Sequence, residues 1–422
     1  MIEASVVIPT HNRSSILFGT LEALSHQTYP ADRFEVIVVA NGCTDDTLEM
    51  AGKLVMPYRL VSHEVAKAGA SQARNTGAQL ASSSLLIFLD DDISAAPGLV
   101  EAHVRAHGKD RKQVVIGYLP AMLSNPRDYF HLELLGWWEA MFEVMRAPGH
   151  RFTYNDLLSG NFSIQKEFFD NIGGFDPAYL VHEDYELGLR LVEAGALFVF
   201  EANAWGHHYE HTDLERALRR KYQEGIADVL LAHADPEIIS RLLMVRLLKY
   251  SLLPSRILRV LAFKLPRLGD TLVEWCVQVL PFLERIHLLG LWRRILYGLL
   301  GYWYWKGVAK ETGSMKAMKL LLARQPTPIM DGGQADLKVD LSLGVEYAEQ
   351  LLNQYRPASV LVYYGGHFVG LIQPQPGAER LRGEHLRPIL VNDLALPLLK
   401  ALMLAGVPGA QIPSEVDGEL RA

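Results

Sequence analysis

The stretch Leu85-Leu86-Ile87-Phe88-Leu89-Asp90-Asp91-Asp92 places three consecutive carboxylates directly after a run of apolar residues. A short apolar run of this kind predicts a buried strand, so the carboxylates lie where that strand leaves its sheet. Carboxylates so close together repel one another unless a proton or a cation compensates them, and a divalent metal is the usual compensating cation. Alternatively, they form a solvated acidic turn or cap a helix that Pro97 opens.

The residues upstream of this stretch predict alternating strands and helices. Residues 5–9 and 34–40 are β-branched runs typical of buried strands, and residues 16–27 between them carry leucines at helical spacing. Residues 44–54 begin with side-chain oxygens and negative charge that favour a helix start, and residues 70–80 predict a further helix before the acidic stretch. This alternation predicts an α/β fold with a parallel sheet and right-handed crossovers.

In such a sheet, the loops that follow the strands meet at one rim, which is where open α/β sheets bind ligands. Three polar loops fall at this rim, namely Thr10–Arg13, Asn41–Asp46 and Asp90–Asp92. A divalent cation bound by the carboxylates could hold a diphosphate there.

Several motifs of the sequence resemble, in order and spacing, those of family 2 inverting glycosyltransferases with the GT-A fold. The first four are Val7-Ile8-Pro9-Thr10-His11-Asn12-Arg13, residues 39–47, Ala73-Arg74-Asn75-Thr76-Gly77 and Phe88-Leu89-Asp90-Asp91-Asp92. A second block comprises residues 158–164, Gly173-Gly174-Phe175-Asp176 and residues 182–191. The motifs span roughly residues 4–212, so the resemblance implies a Rossmann-type mixed or parallel sheet, flanked by helices, in this half of the chain.

The resemblance implies a metal site of the Asp-x-Asp type formed by Asp90 and Asp92. One carboxylate would lie near the nucleotide ribose, and the other would bind the Mn²⁺ or Mg²⁺ that bridges the two phosphates and stabilises the leaving nucleoside diphosphate. Similar enzymes often close the metal shell with a histidine, and alignment from Asp184 favours His208 over His207. An imidazole ligand favours Mn²⁺ over Mg²⁺, and the alternative is a histidine that is only packed or hydrogen-bonded.

The resemblance also implies which residues contact the nucleotide sugar, namely Pro9, His11, Arg13, Asn41, Arg74, Asp90 and Asp91. His11 occupies a position where the family often has an aromatic ring beside the base. Asn41 stands where the family often has an acidic residue that reads the base, and this departure leaves the identity of the base open. Arg74 resembles an arginine that faces the base or the phosphates, and the alternative is an exposed helix arginine.

Glu183 and Asp184 form a second pair of carboxylates. An inverting transfer needs a base that takes the proton of the attacking hydroxyl, and the resemblance places this base at Asp184. Glu183 would orient the acceptor or raise the pKa of Asp184 by repulsion, although both residues also suit the start of a helix. The residues expected to contact the acceptor are Trp137, Trp138 and Asn161. A hydrophobic helix face explains the two tryptophans equally well.

Composition limits the remaining interpretation. The chain has 422 residues, of which 49% are hydrophobic, so two or three domains are expected. The two cysteines, Cys43 and Cys276, have no metal-binding spacing and fit a reducing compartment. Residues 1–4 lead directly into the first strand without a signal peptide, so we expect the catalytic rim to face the cytoplasm.

The middle of the chain is strongly basic. Residues 241–324 contain 15 Lys or Arg against 4 acidic residues, a net charge of +11, together with the uncharged run Ile295–Trp305 that ends in Tyr302-Trp303-Tyr304-Trp305. That run is too short to span a bilayer, so we expect basic, aromatic-rimmed helices on the inner face of an anionic cell membrane. The alternative is a helical subdomain packed on the catalytic domain. No recognition motif accompanies the charge, so nucleic-acid binding is not expected.

The division expected from these patterns is a catalytic domain at 1–212, a basic helical segment at 213–324 and a small α+β domain of unknown role at 337–422. Residues 325–333 resemble a linker, residues 359–372 predict a hairpin and residues 394–404 predict a helix.

The sequence therefore predicts a metal-dependent inverting glycosyltransferase that moves a sugar from a nucleotide diphosphate donor to a hydroxyl of a glycan or lipid-linked acceptor. One alternative is a polyprenyl-phosphate sugar synthase, whose phosphate acceptor could dispense with a base. Another is a non-catalytic scaffold that binds sugar nucleotides or glycans. The retained Asp90, Asp92 and Asp184 argue against the scaffold, and the Glu183-Asp184 pair argues against the synthase.

Overall fold

The computed structural model describes residues 1–66, 69–108, 110–123, 129–249, 253–326 and 335–408. The chain divides into two compact units, of which the first contains Met1–Phe142 and Tyr154–Pro326 and the second contains Glu143–Thr153 and Thr327–Ala422. The expected linker lies mostly outside the described residues, and the separation of the first unit into a catalytic domain and a helical segment stays a prediction.

The first unit is built on one large sheet. Its strands are Ala4–Thr10 (β1), Phe34–Asn41 (β2), Arg59–Val65 (β3), Leu85–Leu89 (β4), Ile93–Ala95 (β5), Gln113–Tyr118 (β6), Ala121–Leu123 (β7), Asn161–Gln165 (β8) and Leu197–Glu210 (β9). Their order is β3-β2-β1-β4-β8-β6-β9-β5, with β7 paired to β9. Strands β1 to β4 pair in parallel, whereas β8 runs antiparallel to β4 and β6. The predicted α/β fold is therefore confirmed, and the sheet is mixed.

Seven helices accompany these strands in the described chain. They are Ser14–Ser25 (α1), Thr47–Lys53 (α2), Ala70–Leu80 (α3), Leu99–Ala106 (α4), Tyr129–Arg146 (α5), Lys166–Asn171 (α6) and Glu183–Glu193 (α7). Helix α3 packs closely on β1 because Gly77 has no side chain, and a Cβ atom there would lie 2.3 Å from Val7 Cγ1. This close packing fixes α3 and the Arg74 that it carries against the sheet.

Strand β9 connects the central sheet to the acidic rim. Its first half pairs with β6 up to Glu201, opposite Gly117, and pairing resumes only at Trp205, opposite Tyr118. The extra residues bend the strand, as a bulge does. Its second half then pairs with β5 and β7, with His208 opposite Ile93. The bend thereby carries residues 206–210 to the end of β4.

A helical layer completes the first unit. Its α-helices are Leu214–Ala234 (α8), Leu243–Lys249 (α9), Leu253–Lys264 (α10), Pro266–Arg285 (α11), Leu289–Thr312 (α12) and Met315–Leu322 (α13). Helices α8 and α12 cross at two glycines, where a Cβ on Gly307 would lie 1.9 Å from the Tyr222 carbonyl oxygen and one on Gly225 would lie 2.2 Å from that of Tyr304. Direct contact of the two backbones therefore holds the layer together.

The aromatic run of α12 lies in the core, which corrects one expectation. Tyr302, Tyr304 and Trp305 are at most 1% exposed, and Lys306 is paired with Asp270 and lies 4.6 Å from the centre of the Trp303 ring. A helix that is apolar on all sides is buried, so these residues do not rim a membrane.

The second unit has a three-stranded sheet in the order β10-β11-β12. Its strands are Leu337–Asp340 (β10), Val360–Tyr364 (β11) and His367–Ile372 (β12), and its helices are Val345–Tyr355 (α14), Gly383–Asn392 (α15) and Ala395–Leu404 (α16). Leu352, Val360 and Leu386 are fully buried in its core. The hairpin predicted at 359–372 and the helix predicted at 394–404 are confirmed.

The close approach at Gly307 generates a test of stability. Gly307→Ala should lower the free energy of unfolding by about 1–3 kcal/mol, the usual cost of overpacking, because the neighbouring backbone cannot move aside. Gly298→Ala on the same helix is the matched control. No atom lies within 4 Å of a Cβ there, so it should raise stability by about 0.5–1 kcal/mol. Equal denaturant midpoints for the two variants would show that the crossing does not depend on this contact.

Candidate active site

The three carboxylates after β4 have different environments. Asp91 is 4% exposed, accepts hydrogen bonds from Thr10 Oγ1 at 2.7 Å and from Arg13 Nη1 at 2.8 Å, and its backbone carbonyl accepts one from Thr20. Burial raises the pKa of Asp91 to about 6, although Arg13 and Thr10 oppose this shift. Asp91 therefore ties the first and third loops of the rim together. The strand β5 follows these residues, so they do not cap a helix.

Asp92 shares the Arg13 donor with Asp91, whereas Asp90 is paired with Arg74. Asp92 Oδ2 accepts a hydrogen bond from Arg13 Nη1 at 3.0 Å, but its Oδ1 is buried without a hydrogen-bond partner among the described residues. That oxygen lies 3.6 Å from Nε2 of His208. An unpaired buried carboxylate oxygen is costly, and a cation would satisfy it.

The pair formed by Asp92 and His208 fits a divalent cation with mixed oxygen and nitrogen ligands. Burial raises the pKa of Asp92, with His208 and Arg13 opposing the shift. His207 lies on the opposite face of β9, with its ring 5.0 Å from that of Trp205. His208 is thus the histidine beside the acidic rim. No cluster of three or more potential metal ligands occurs in the part of the chain that the structure describes, so phosphate and water oxygens would have to complete the shell.

Arg74 joins the two carboxylate centres. Its side chain is 4% exposed, and its two terminal nitrogens donate to Asp90 Oδ1 at 2.7 Å and to Glu183 Oε1 at 3.0 Å. Its guanidinium carbon lies 5.3 Å from the centre of the Phe175 ring. The alternative of an exposed helix arginine is therefore wrong, and both terminal nitrogens are paired with carboxylates.

The loops after β1 and β2 hold each other by side-chain hydrogen bonds to the backbone. Asn41 is 5% exposed, donates to the Thr10 carbonyl at 2.7 Å and accepts from the Gly69 amide at 3.0 Å. Its amide therefore organises the rim in this structure, which explains why an asparagine suits the position. His11 is exposed, and its Nδ1 lies 2.6 Å from the Asn41 carbonyl oxygen. Pro9 is buried within β1.

Asp184 lies in the first turn of α7, where the backbone amide of Tyr185 donates to its Oδ1 at 2.9 Å. Burial and the neighbouring charge of Glu183 raise the pKa of Asp184 to about 6, while His182, Arg220 and Arg74 lower it in part. A carboxylate with this pKa can accept a proton near neutral pH. Its Oδ2 has no hydrogen-bond partner among the described residues.

Two regions of the first unit support Asp184: the turn that leads into α7, with His182, and helix α8, with Asp228. His182 adopts a left-handed conformation with φ 60°, which costs a non-glycine residue about 1–2 kcal/mol. Its ring is stacked on Tyr185 with centroids 4.3 Å apart, and its Nδ1 lies 3.3 Å from Asp228 Oδ1 on α8. Asp228 also accepts a hydrogen bond from Tyr304 of α12. Burial alone would lower the pKa of His182, but Asp228 outweighs burial and raises it.

This support from α8 is absent from the sequence prediction. Arg220, Glu224 and Asp228 recur every four residues and so form one polar stripe of the helix. Glu224 and Asp228 are buried, whereas the Arg220 side chain is 58% exposed beside Glu224. The four-residue spacing could have revealed the polar stripe from the sequence. Spacing alone does not predict which strand or helix such a stripe contacts.

The residues expected to bind the acceptor are separated. Trp138 donates from Nε1 to Glu210 at 3.1 Å and its ring lies 5.7 Å from His208, while the neighbouring Trp137 is 51% exposed. Asn161 is fully buried, donates to the Ala204 carbonyl and lies 2.8 Å from Nε2 of His103. The structure therefore gives Asn161 a role in joining β8 to β9, and not a surface that an acceptor can reach.

Comparison with known proteins agrees with this geometry. Residues 5–173 match the family model described as glycosyl transferase family 2, and residues 139–212 match one described as the N-terminal domain of galactosyltransferase. Both matches lie within the region that carries the sheet and the acidic rim.

Curated relatives include a validoxylamine A glucosyltransferase of Streptomyces hygroscopicus subsp. jinggangensis, 34% identical over 54% of this chain and 58% of that protein. The glycosyltransferase GlyG of Streptococcus pneumoniae is 26% identical over 58% of this chain and 86% of that protein. The chain spans 58% and 54% of the lengths of the two validoxylamine A glucosyltransferases that it matches. A solved structure of mannosyltransferase PcManGT from Pyrobaculum calidifontis in complex with GDP-Man and Mn²⁺ gives a TM-score of 0.48, at 16% identity over 73% of this chain and 86% of that chain.

The mixed sheet and its acidic rim define the first unit as a GT-A-like α/β fold. The match of residues 5–173 confirms the resemblance of the N-terminal region to family 2 glycosyltransferases that the motifs predicted.

The bridge made by Arg74 can be tested by unfolding. Arg74→Gln should lower the free energy of unfolding by about 3 kcal/mol, because two carboxylates lose their partner and Arg74 is 4% exposed. Arg33→Gln is the matched control, since its pair with Glu3 lies at the surface and should contribute far less than the Arg74 bridge. If both variants unfolded at the same denaturant concentration, the bridge would not be a determinant of the fold.

Proposed function

We propose that the protein is a metal-dependent inverting glycosyltransferase. It transfers one sugar from a nucleotide diphosphate donor to a hydroxyl of a glycan or a lipid-linked acceptor. The observation that carries this proposal is the Arg74 bridge, which holds the acidic rim at Asp90 and the carboxylate pair at Glu183 and Asp184 in one site. Transfer requires a place for the leaving diphosphate and a base within the same site, and this arrangement supplies both.

The proposed chemical step uses the free oxygen of Asp184. The acceptor hydroxyl gives its proton to Asp184 Oδ2, and its oxygen attacks the anomeric carbon from the face opposite the diphosphate. The bond between the anomeric carbon and the diphosphate oxygen breaks, so the configuration inverts. The Tyr185 amide donates to Oδ1, which leaves Oδ2 as the oxygen of Asp184 that can take the proton.

The residues that would hold the cation are Asp92 and His208, since Asp92 Oδ1 lacks a partner and faces the imidazole. When bound, a divalent cation would stabilise negative charge on the leaving diphosphate. Asp90 keeps 35% of its side chain exposed and is available to the donor at the same rim. Arg13, held by Asp91 and Asp92, places a positive charge beside it.

The metal site predicts metal-dependent binding of nucleotide diphosphates. UDP, dTDP and GDP should be compared with and without Mn²⁺ or Mg²⁺, and the matching nucleotide at 100 times its Kd should stabilise the fold by about 2.7 kcal/mol only with metal. Asp92→Asn should abolish this metal-dependent gain, as measured by thermal unfolding.

His207→Ala and His208→Ala provide the comparison between neighbouring histidines. The first should retain the shift because His207 faces away from the rim, whereas the second should weaken the response to Mn²⁺. If a nucleotide stabilised the wild-type protein against thermal unfolding equally in excess chelator and with metal, the proposed metal site would be excluded.

The base assignment predicts a loss of turnover without a loss of donor binding. Asp184→Asn preserves the shape of the side chain but cannot take a proton, so turnover should fall roughly 10²–10⁴-fold. Donor affinity should be unchanged, and the exposed carboxylate variant Asp170→Asn should behave as wild type. Turnover close to wild type for Asp184→Asn would favour Glu183 as base or a phosphate acceptor that needs none.

The pH dependence provides a second readout of the same residue. The pKa of Asp184 is raised to about 6, so the active ionised form predominates above pH 6 and is lost below it. Wild-type turnover should therefore fall about tenfold per pH unit on the acid side of pH 6. The residual turnover of Asp184→Asn should lack this acid limb, and an unchanged limb would assign it to another group.

A further inference from the structure

Helix α11 carries a continuous row of apolar side chains on its outer face. Its exposed members are Leu268, Leu272, Trp275, Phe282 and Ile286, the last of which caps the helix, and the partly buried Val279 lies between Trp275 and Phe282 and packs against the core. Steps of four and three residues keep these side chains on one face. Trp275 is 67% exposed and Phe282 is 60% exposed, although both are large and apolar. From Leu268 to Ile286 the row extends over 18 residue steps, or about 27 Å at 1.5 Å per residue.

The inner face of the same helix is occupied by the protein core. Gly269, Val273, Leu280 and Leu283 are buried there, so the outer row is additional to what the fold needs. Exposed apolar side chains are concentrated around the outer row. Of thirty large hydrophobic residues that are exposed in the described chain, eleven lie between Ile257 and Tyr297. Concentrated apolar exposure of this kind marks a binding surface.

The charges beside this surface are positive and mostly uncompensated. Residues 256–297 contain seven Lys or Arg and three acidic residues. Only Arg293, which is paired with Glu133, forms an ion pair among the described residues. Asp270 is paired with Lys306 and Glu284 accepts a hydrogen bond from the Tyr129 amide, so Glu274 is the one exposed acidic residue of α11 in the described chain. Arg267 and Arg285 lie beside its two ends, on the side that faces away from the core.

We propose that the outer face of α11 is a docking surface for an anionic membrane. The helix has three parallel rows: one buried in the protein, one apolar and exposed, and one polar with an arginine at each end. This order suits a helix that lies in the interface, where the apolar row enters the acyl boundary and the arginines meet anionic headgroups. No helix in the described ranges has the length and hydrophobicity to cross a bilayer, so the contact is with its surface.

A second copy of the chain fits the surface less well. The alternation of four and three residues also suits a coiled-coil seam. An antiparallel pair would bring Arg267 of one copy towards Arg285 of the other. Like charges oppose this pairing, whereas an anionic lipid surface is attracted by the same residues.

The test is co-sedimentation of the full chain with vesicles of phosphatidylcholine alone or mixed with phosphatidylglycerol. Wild type should bind the anionic vesicles, and binding should weaken in high salt because screening shortens the range of the charges. Arg267→Gln with Arg285→Gln should lower the partition coefficient roughly 30-fold, since each basic residue near the surface contributes roughly a factor of five. Trp275→Ser with Phe282→Ser should lower it at least tenfold.

Matched controls separate this face from general charge and general hydrophobicity. Lys316→Gln with Lys319→Gln removes two exposed cations of α13, and Tyr355→Ser with Phe368→Ser removes two aromatic residues that are 59% and 58% exposed. Both double variants should bind as wild type, and thermal unfolding should confirm that every variant is folded. Binding that the α11 variants leave intact, or no binding to anionic vesicles, would overturn the proposal. A lipid-free dimer that Trp275→Ser dissociates, without vesicle binding, would replace it with a second copy.

Discussion

The buried guanidinium of Arg74 is the interaction on which the site depends. A lone buried charge is expensive, and this one is stabilised only because Asp90 and Glu183 approach it from opposite sides of the site. The first carboxylate follows β4 and the second opens α7, so the pair can form only when the sheet and the second block of motifs are assembled. Asn75, the next residue of α3, reinforces the same junction by exchanging two hydrogen bonds with the backbone of Phe175. Formation of the fold and formation of the site are thus the same event in this region.

The helical layer takes part in this arrangement. His182 begins the turn into α7 in a strained conformation, and Asp228 of α8 holds its ring. Asp228 is in turn held by Tyr304, which belongs to α12 and lies beside the crossing at Gly225. The helices behind the sheet therefore fix the backbone from which Asp184 projects. This chain of contacts explains why polar residues occur on otherwise buried faces of two helices.

The sequence predicted the strands of the rim because continuous β-branched runs identify buried strands. It missed β3, whose residues Arg59–Val65 form an edge strand with polar and partly exposed side chains. His208 was found by alignment with the motif at Asp184, and the pairing of β5 with β9 gives the physical reason for its position. Asn41 was expected to face a base, but its side-chain amide is hydrogen-bonded to the backbone of two loops, at Thr10 and Gly69. Long-range hydrogen bonds of this kind leave no local pattern in a sequence.

The aromatic run of α12 was misplaced because hydropathy reports apolar character without saying whether protein or lipid covers it.

Helix α5 relates the two proposals to each other. Near its start, Tyr129 donates its amide to Glu284 of α11 and packs edge-on against Trp292 of α12. Nine residues later, Trp138 lies against His208 beside the proposed metal site. The distance along the helix between these two residues is about 14 Å. If α11 lies on a membrane, helix α5 connects the membrane-facing helix to the proposed metal site. An acceptor anchored in that membrane would then be held at a raised local concentration near the site.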